Sequence, residues 1–491
     1  MDIEKLVNSF VDVGVLQQLQ NDDNQIAYGR RGTGKTHVLR VLASQAAGFG
    51  KVACYIDFRT LGSTAQFCDD SLSLRLRCTC LFRDILAYLH DSLLEHFMES
   101  ADTLSEEAAT LLDDFAWLAT SEVRSFRETA ISYKEGTQSA SKDAFELSVA
   151  TSPKFTIGSE DSRAEQVEKT TTTEVSQDDK VVFPGIHRLL TDLLRPKRTR
   201  LLLLMDEWSS LPWDIQPFLA EFLKRAFFAN PNITIKIASL EQRSNFVERK
   251  PHATLGFEIG SDISAFLDID DYYVFDKDPD NVTAAFADIL FKHVKNELPH
   301  QYLEARYAVQ DGLGFARLVC EDTSVVYELV RASEGVARDL INIFSMCYFA
   351  ALRKKEARIT TSDVRDAARK WFEQDKAPNL DNGLRKLLDR ITSLLISRRG
   401  IYVFCVPVEL EKHEGVQRLV DARVVHVIHR GTSAEDSPGV RYTTFALDYG
   451  CYVHLLGTNK QPELGFRKGG GFGQARQIKK FLIPIELLDA G

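Results

Sequence analysis

The chain has no run of 18 or more apolar residues, so no transmembrane helix is expected. Its start, Met1-Asp2-Ile3-Glu4-Lys5, lacks the basic stretch and apolar core of a secretory signal. Metal-ligand patterns are missing too. The eight cysteines are scattered, and Cys78-x-Cys80 is the only close pair, with no second pair or histidine cluster to complete a zinc site. Most sit in apolar segments and read as buried reduced thiols, which predicts a cytoplasmic protein. A positive balance is also absent: 60 Lys and Arg stand against 70 Asp and Glu, a net of −10, which argues against nucleic-acid binding over the whole surface. The deficit is uneven. From Lys376 to Gly491 there are 17 Lys and Arg against 12 Asp and Glu, a net of +5 on an otherwise acidic body. What remains is a chain of 491 residues with 44% hydrophobic content, long enough for roughly two to four domains with cores of their own.

Against that background one stretch carries chemistry. Gly29-Arg30-Arg31-Gly32-Thr33-Gly34-Lys35-Thr36 matches the pattern G-x-x-x-x-G-K-[ST] at every fixed position. Glycines let the backbone curl with its amide N–H groups turned inward around a polyphosphate. Lys35 is expected to reach the β- and γ-phosphates, and the Thr36 hydroxyl to hold Mg²⁺. The flanks agree. Gln25–Tyr28 reads as a strand entering the loop, and Thr36–Ala47 as a helix with Val38, Leu39, Val41 and Leu42 at helical spacing. The helix N-terminus adds partial positive charge, and residues 29 to 37, His37 included, form the candidate nucleotide-binding segment.

A second motif lies downstream. Arg200–Met205 is an apolar strand ending in Asp206-Glu207. Asp206 is expected to bind Mg²⁺ through water, and Glu207 to polarise the attacking water. A further strand, Ile233–Ala238, ends at Ser239, a candidate γ-phosphate sensor. Other elements are expected as a helix over residues 1–20, a buried strand at Lys51–Phe58, and helices near 77–98, 104–120, 184–195 and 214–228. Residues 130–180 change character, with Ser, Thr, Lys and Glu replacing large apolar residues. Alternations at Phe145–Val149 and Lys154–Ile157, and the run Thr170–Thr173, read as an inserted β-hairpin arm or a loop.

In order and content these motifs resemble the AAA+ ATPases, and within them the origin-recognition and initiator-like clade. The resemblance covers about residues 20–100 and 184–460. It implies an α/β fold: a P-loop core with a parallel sheet, a helical lid and a C-terminal winged helix, here with an inserted arm. The implied segments are 1–99 and 183–275 for the core, 100–182 for the insertion, 276–375 for the lid, 376–460 for the winged helix and 461–491 for a basic glycine-rich tail. Glu334-Gly335-Val336-Ala337-Arg338-Asp339-Leu340 resembles the lid's sensor helix, which makes Arg338 the expected γ-phosphate contact. The family's arginine finger has no clear counterpart; Arg243 and Arg249 lie nearest its place, with Arg225 a further choice. In residues 380–458, Leu384–Ser397 and Val416–Val420 read as helices, and Val424–Arg430 and Val440–Leu447 as strands flanking a wing-like loop. Arg398, Arg399, Arg418, Arg423, Arg430 and Arg441 are candidate phosphate contacts, and Phe466 and Phe472 of the tail could stack on bases.

Three functions compete. One is an ATP- and Mg²⁺-dependent switch that binds double-stranded DNA through the winged helix, as a homo-oligomer or part of a complex. The second is a defence or signalling ATPase, antiviral for example, that senses a protein partner and activates a separate effector, since no effector motif is visible here. The third, a nucleotide-dependent scaffold with little turnover, is disfavoured by Glu207, because a pure binder needs no water-polarising acid.

Overall fold

The computed structural model describes residues 3–61, 69–99, 106–120, 127–128, 173–174, 181–195, 199–263, 265–275, 278–411, 413–433, 441–458, 461–462, 481–484 and 488. Residues 120–181 separate as a second compact unit from the rest of the chain.

The first unit begins with α1 (Ile3–Ser9) and α2 (Val15–Leu19), two helices where one was expected. The break has a local cause. Gly14 adopts a left-handed φ of 99°, and the Asp12 carboxylate accepts hydrogen bonds from the Gly14 and Leu16 N–H groups at 2.9 and 3.1 Å. The apolar spacing runs on across the break because both helices face one core. Strand β1 (Gln25–Tyr28) then leads through the glycine loop into α3 (Lys35–Gln45). Burying Val38, Leu39, Val41 and Leu42 stabilises that helix on the sheet by about 1.5–3 kcal/mol per side chain. Strand β2 (Lys51–Asp57) follows, and then α4 (Leu74–Glu99) and α5 (Glu106–Thr120). Helix α5 was expected inside the insertion. It packs with the first unit, where it buries Leu112, Phe115 and Ala119 and sets the Phe115 ring against His90 of α4, and the second unit begins near residue 120.

In the second unit, β3 (Arg127–Glu128) pairs antiparallel with β4 (Thr173–Glu174). The alternations at 145–149 and 154–157, and residues 170–172, lie outside the described residues.

The first unit resumes with α6 (Phe183–Leu194), β5 (Arg200–Asp206), α7 (Ile215–Leu223) and β6 (Ile233–Ser239). A small hairpin, β7 (Val247–Lys250) with β8 (Ala253–Gly256), precedes β9 (Ala265–Asp268). Five strands form one parallel sheet in the order β2-β5-β6-β1-β9. Strands β1, β5 and β6 are buried almost throughout, as expected for a parallel sheet covered on both faces. Lys236 sits inside β6, where its amine donates to Asn21 Oδ1, Asp23 O and Gln25 Oε1 at 2.6–2.7 Å, fixing the turn that enters β1. The register sets Tyr28 beside Ser239 and Asp57 beside Asp206. Gly29, Asp206 and Ser239 therefore share the carboxyl edge of the sheet, where open α/β sheets bind ligands.

A helical region follows: α8 (Pro279–Glu297), α9 (Tyr302–Tyr307), α10 (Gly312–Val319), α11 (Thr323–Ala332), α12 (Ala337–Lys354) and α13 (Thr361–Trp371). Thr360 and Asp363 form a reciprocal cap at the start of α13, and Ile359 bridges to Cys320. The C-terminal part holds α14 (Asn382–Thr392), β10 (Val403–Pro407), α15 (Glu414–Asp421), β11 (Val425–Ser433), β12 (Arg441–Leu447) and α16 (Tyr449–Tyr452). Its antiparallel sheet has the order β10-β12-β11. Most of the expected wing loop and residues 463–480 of the tail, with Phe466 and Phe472, fall outside the described residues. Among the described residues no helix is long and apolar enough to cross a membrane, and the cysteines are unpaired thiols.

Candidate nucleotide site

Gly32 and Gly34 carry φ values of 88° and 98°, a region that L side chains rarely adopt. Gly32 has a second reason to be glycine. An added Cβ would lie 2.8 Å from Arg338 Cβ, because α12 packs its N-terminal turn directly on the loop. The Arg338 N–H donates to Gly32 O at 3.1 Å. Its half-exposed side chain stands beside the loop, and its pKa is lowered by burial and by the nearby Arg423. The Lys35 amine is buried and donates to Gly29 O at 2.7 Å and Arg30 O at 2.9 Å. Burial lowers its pKa, against the pull of Asp270, Glu207 and Asp206. Thr36, half-buried, occupies the first turn of α3.

Asp206 is fully buried at the end of β5. Its Oδ2 accepts from the Tyr55 hydroxyl at 2.6 Å and its Oδ1 from the Glu207 N–H at 2.9 Å. Glu207 has a left-handed φ of 58°, uncommon for a residue with a side chain. Its carboxylate lies 3.6 Å from Arg59 Nη1, and Arg59 in turn grips Asp57. Ser239 is buried, and its hydroxyl is hydrogen-bonded to that of Ser244.

A cavity of about 240 Å³ opens beside the loop, lined by Phe10, Val11, Thr33, His37, Tyr273, Ile289, His293 and Ile341 among others. His37 meets Phe10 edge-on and donates from Nε2 to Leu6 O at 2.6 Å. Apart from His37 and the loop residues, these walls were not expected from the sequence. Their signal was the break after α1, which turns Phe10 and Val11 toward the loop.

The Arg30 side chain turns away from the phosphate loop. Its N–H and Nε both donate to Asp270 Oδ2, at 3.0 and 2.9 Å, and Nη2 donates to Glu334 O at 2.8 Å. Nη1 contacts His426 Nδ1 of β11. Arg31 is exposed. Burial, with Arg30 and Lys376 nearby, pushes the His426 pKa down from 6.5 to about 4, against the pull of Asp448. The folded chain thus binds fewer protons here than the unfolded chain between those values, so this contribution to stability is lost as pH falls through that window. Asp268, pushed up to about 7 by burial and Asp270, has the opposite slope. The effect is therefore read as a difference: the stability advantage of wild type over His426→Gln should shrink between pH 7 and pH 4, by on the order of 3 kcal/mol. Denaturant melts at several pH values check it, and a constant difference would contradict a neutral His426.

The arginines proposed as fingers are held within the chain: Arg243 by Asp421 at 2.8 Å, Arg249 by Glu258 at 3.2 Å and Arg225 by Glu221 at 2.6 Å. Two of the arginines expected to contact DNA are also committed internally. Arg423 is buried between Asp339 and Asp375, and Arg430 pairs with Glu241, Asp268 and Glu411. Arg418 pairs with Asp381 and Glu414 at the surface, Arg399 lies over the Phe481 ring, and Arg398 and Arg441 are exposed.

Among solved structures, the chain is similar to Cdc6p from Pyrobaculum aerophilum, at 15% identity over 91% of this chain and 94% of that one, with a TM-score of 0.34. It is similar to the Aeropyrum pernix ORC2 protein, at 13% identity over 91% and 88%, TM-score 0.35. The Thermotoga maritima RuvB Holliday junction branch migration motor aligns at 12% identity over 92% of each chain, TM-score 0.33. No curated protein sequence matches the chain. The ORC-CDC6-like family profile matches residues 1–248, just over half of the chain, and that span contains the glycine loop, Asp206-Glu207 and Ser239. With its parallel five-stranded α/β core and this match over half of its length, the chain belongs to the ORC-CDC6-like family of AAA+ proteins.

Proposed function

We propose that the chain binds ATP in the loop Gly29–Thr36, hydrolyses it, and couples the nucleotide state to DNA binding by its C-terminal part. The observation that carries this is the meeting of three elements at one sheet edge: the glycine loop, Asp206-Glu207, and Arg338 on a helix bonded to Gly32. The base would occupy the apolar cavity between Phe10, Ile289 and Ile341. Thr36 and Asp206 suit Mg²⁺, which takes one or two protein oxygens and fills its other positions with phosphate and water. When bound, the ion neutralises charge building on the phosphates. Glu207 orients the attacking water, and Lys35 exchanges its loop carbonyls for phosphate oxygens. Arg338 supplies positive charge from the lid, with Ser239 on the adjoining strand.

The DNA-facing surface in this reading is the outer side of α14 with Arg385 and Lys386, together with Arg398 and Arg441, all exposed. The internal commitment of Arg423 and Arg430 favours a second one, in which a protein partner replaces DNA. ATPase rates with and without double-stranded DNA, over a range of salt, separate them. Stimulation that fades steeply with salt is expected, and no DNA binding at low salt leaves the partner-driven reading. In the same assay Lys35→Ala should weaken ATP binding by at least about tenfold, since one charged phosphate contact is worth about 1.5–3 kcal/mol; retained affinity would overturn the site.

A further inference from the structure

The second residue of the phosphate loop is tied to the far end of the chain. Arg30 Nη1 donates to His426 Nδ1, and His426 Nε2 donates to Asp448 Oδ2 at 2.8 Å. An arginine can only donate, so Nδ1 must be the acceptor and Nε2 must carry the proton. The chain of contacts continues. Asp448 Oδ2 lies 2.5 Å from Lys376 Nζ, which lies 3.1 Å from Asp339 Oδ2, and Asp339 follows Arg338 in α12. His426, Asp448, Lys376 and Asp339 are all buried. One polar path thus begins in the glycine loop, passes through β11, and ends beside the lid arginine.

The loop end of this path is coupled to the phosphate-binding groups. Arg30 O accepts from both Lys35 Nζ and Thr33 Oγ1 at 2.9 Å, while the Arg30 guanidinium is fixed by Asp270, Glu334 O and His426. Displacing the Gly29–Arg30 carbonyls, as Lys35 turns to a phosphate, is therefore felt by the guanidinium and its imidazole partner. The reverse holds as well: moving β11 removes one of the restraints on the loop.

We propose that His426 is a positioning residue for the phosphate loop, and that through it the C-terminal part regulates the core's affinity for ATP. This rests on the nucleotide reading above. Coupling between two sites is reciprocal, so docking of β11 must favour ATP by the same factor that ATP favours docking of β11.

The test uses the full chain, a fluorescent ATP analogue and amide hydrogen exchange of residues 425–430 and 441–448. His426→Ala should raise the analogue's Kd by about tenfold. His426→Gln, which keeps one acceptor and one donor, should recover most of the loss. In wild type ATP should slow exchange in these strands, and in His426→Ala it should not. A residue that only holds the fold together would lower the melting temperature of the variant while leaving exchange equally responsive to ATP. If His426→Ala loses its cooperative melt, Arg30→Gln breaks the same contact from the loop and should abolish the same response. A Kd for His426→Ala within about twofold of wild type, or exchange that ignores ATP in wild type, overturns the proposal. Wild type that binds no ATP overturns the nucleotide reading itself, a result distinct from unchanged affinity in the variant.

Discussion

Glu207→Gln should keep ATP affinity close to wild type and lower the turnover rate by about 10²–10⁴-fold, the range of a lost general base. The geometry makes the substitution clean. Glu207 follows a buried aspartate, and its own N–H is held by Asp206 Oδ1, so the backbone is fixed independently of the side chain. Its left-handed φ of 58° turns the carboxylate out of the strand direction, and glutamine meets the same strain as glutamate there. The partner that loses most is Arg59, 3.6 Å away, but Arg59 keeps Asp57 through contacts of 2.6 and 3.0 Å. Stability should therefore change little while chemistry stops. Equilibrium titration with an ATP analogue and single-turnover phosphate release read the two effects separately. Release within threefold of wild type, judged against the roughly 100-fold minimum expected, would falsify the role given to Glu207.

The loop, its strand and its helix were legible because each is set by local rules: glycines where φ is positive, apolar spacing on α3, and a strand entering the turn. Asp206-Glu207 was legible for the same reason, as an apolar run closed by two acids. Strand β9 and strand β10 were not read. β9 has only four residues, and β10 follows α14 with no turn signal beyond Gly400, so Ile401–Pro407 resembles a continuation of apolar helix. The roles of the arginines were hidden more deeply. Sequence shows that Arg423 and Arg430 stand in a basic region, but only tertiary structure brings Asp339, 84 positions away, to Arg423, or Glu241, 189 positions away, to Arg430. The same holds for Arg30, read as one more loop residue, whose side chain is taken up by Asp270 and His426 from distant parts of the chain.

Replacing Lys376 by methionine should destabilise the fold by about 3–5 kcal/mol, because it removes one partner from a buried ionic cluster and leaves the others unpaired. Lys376 is 1% exposed and lies between two carboxylates that are equally buried, Asp448 at 2.5 Å and Asp339 at 3.1 Å. Burial alone would lower the lysine's pKa, but the attraction of Asp448 and Asp339 outweighs it and the net shift is upward. Burial likewise penalises the Asp448 anion, yet Lys376 and the His426 N–H hold its pKa well below the usual carboxylate range. Methionine fills nearly the same volume, so little of the cost comes from a cavity. Asp339 retains Arg423 at 2.9 Å, whereas Asp448 keeps only neutral partners, His426 and the Gly450 N–H. The larger share of the penalty therefore falls on Asp448. That assignment gives a sharper test than the single variant. In Lys376→Met with Asp448→Asn the uncompensated charge is gone, and the single amide oxygen can still cap α16 at the Gly450 N–H, while the bond from His426, which meets the other carboxylate oxygen, is given up. The double variant should recover about half of the loss or more, since removing both members of a buried pair costs far less than removing one. Guanidinium melts of wild type, both single variants and the double variant complete the cycle. Strictly additive losses would show that Lys376 and Asp448 do not act as a pair, and that the path from β11 to α12 is broken at that point.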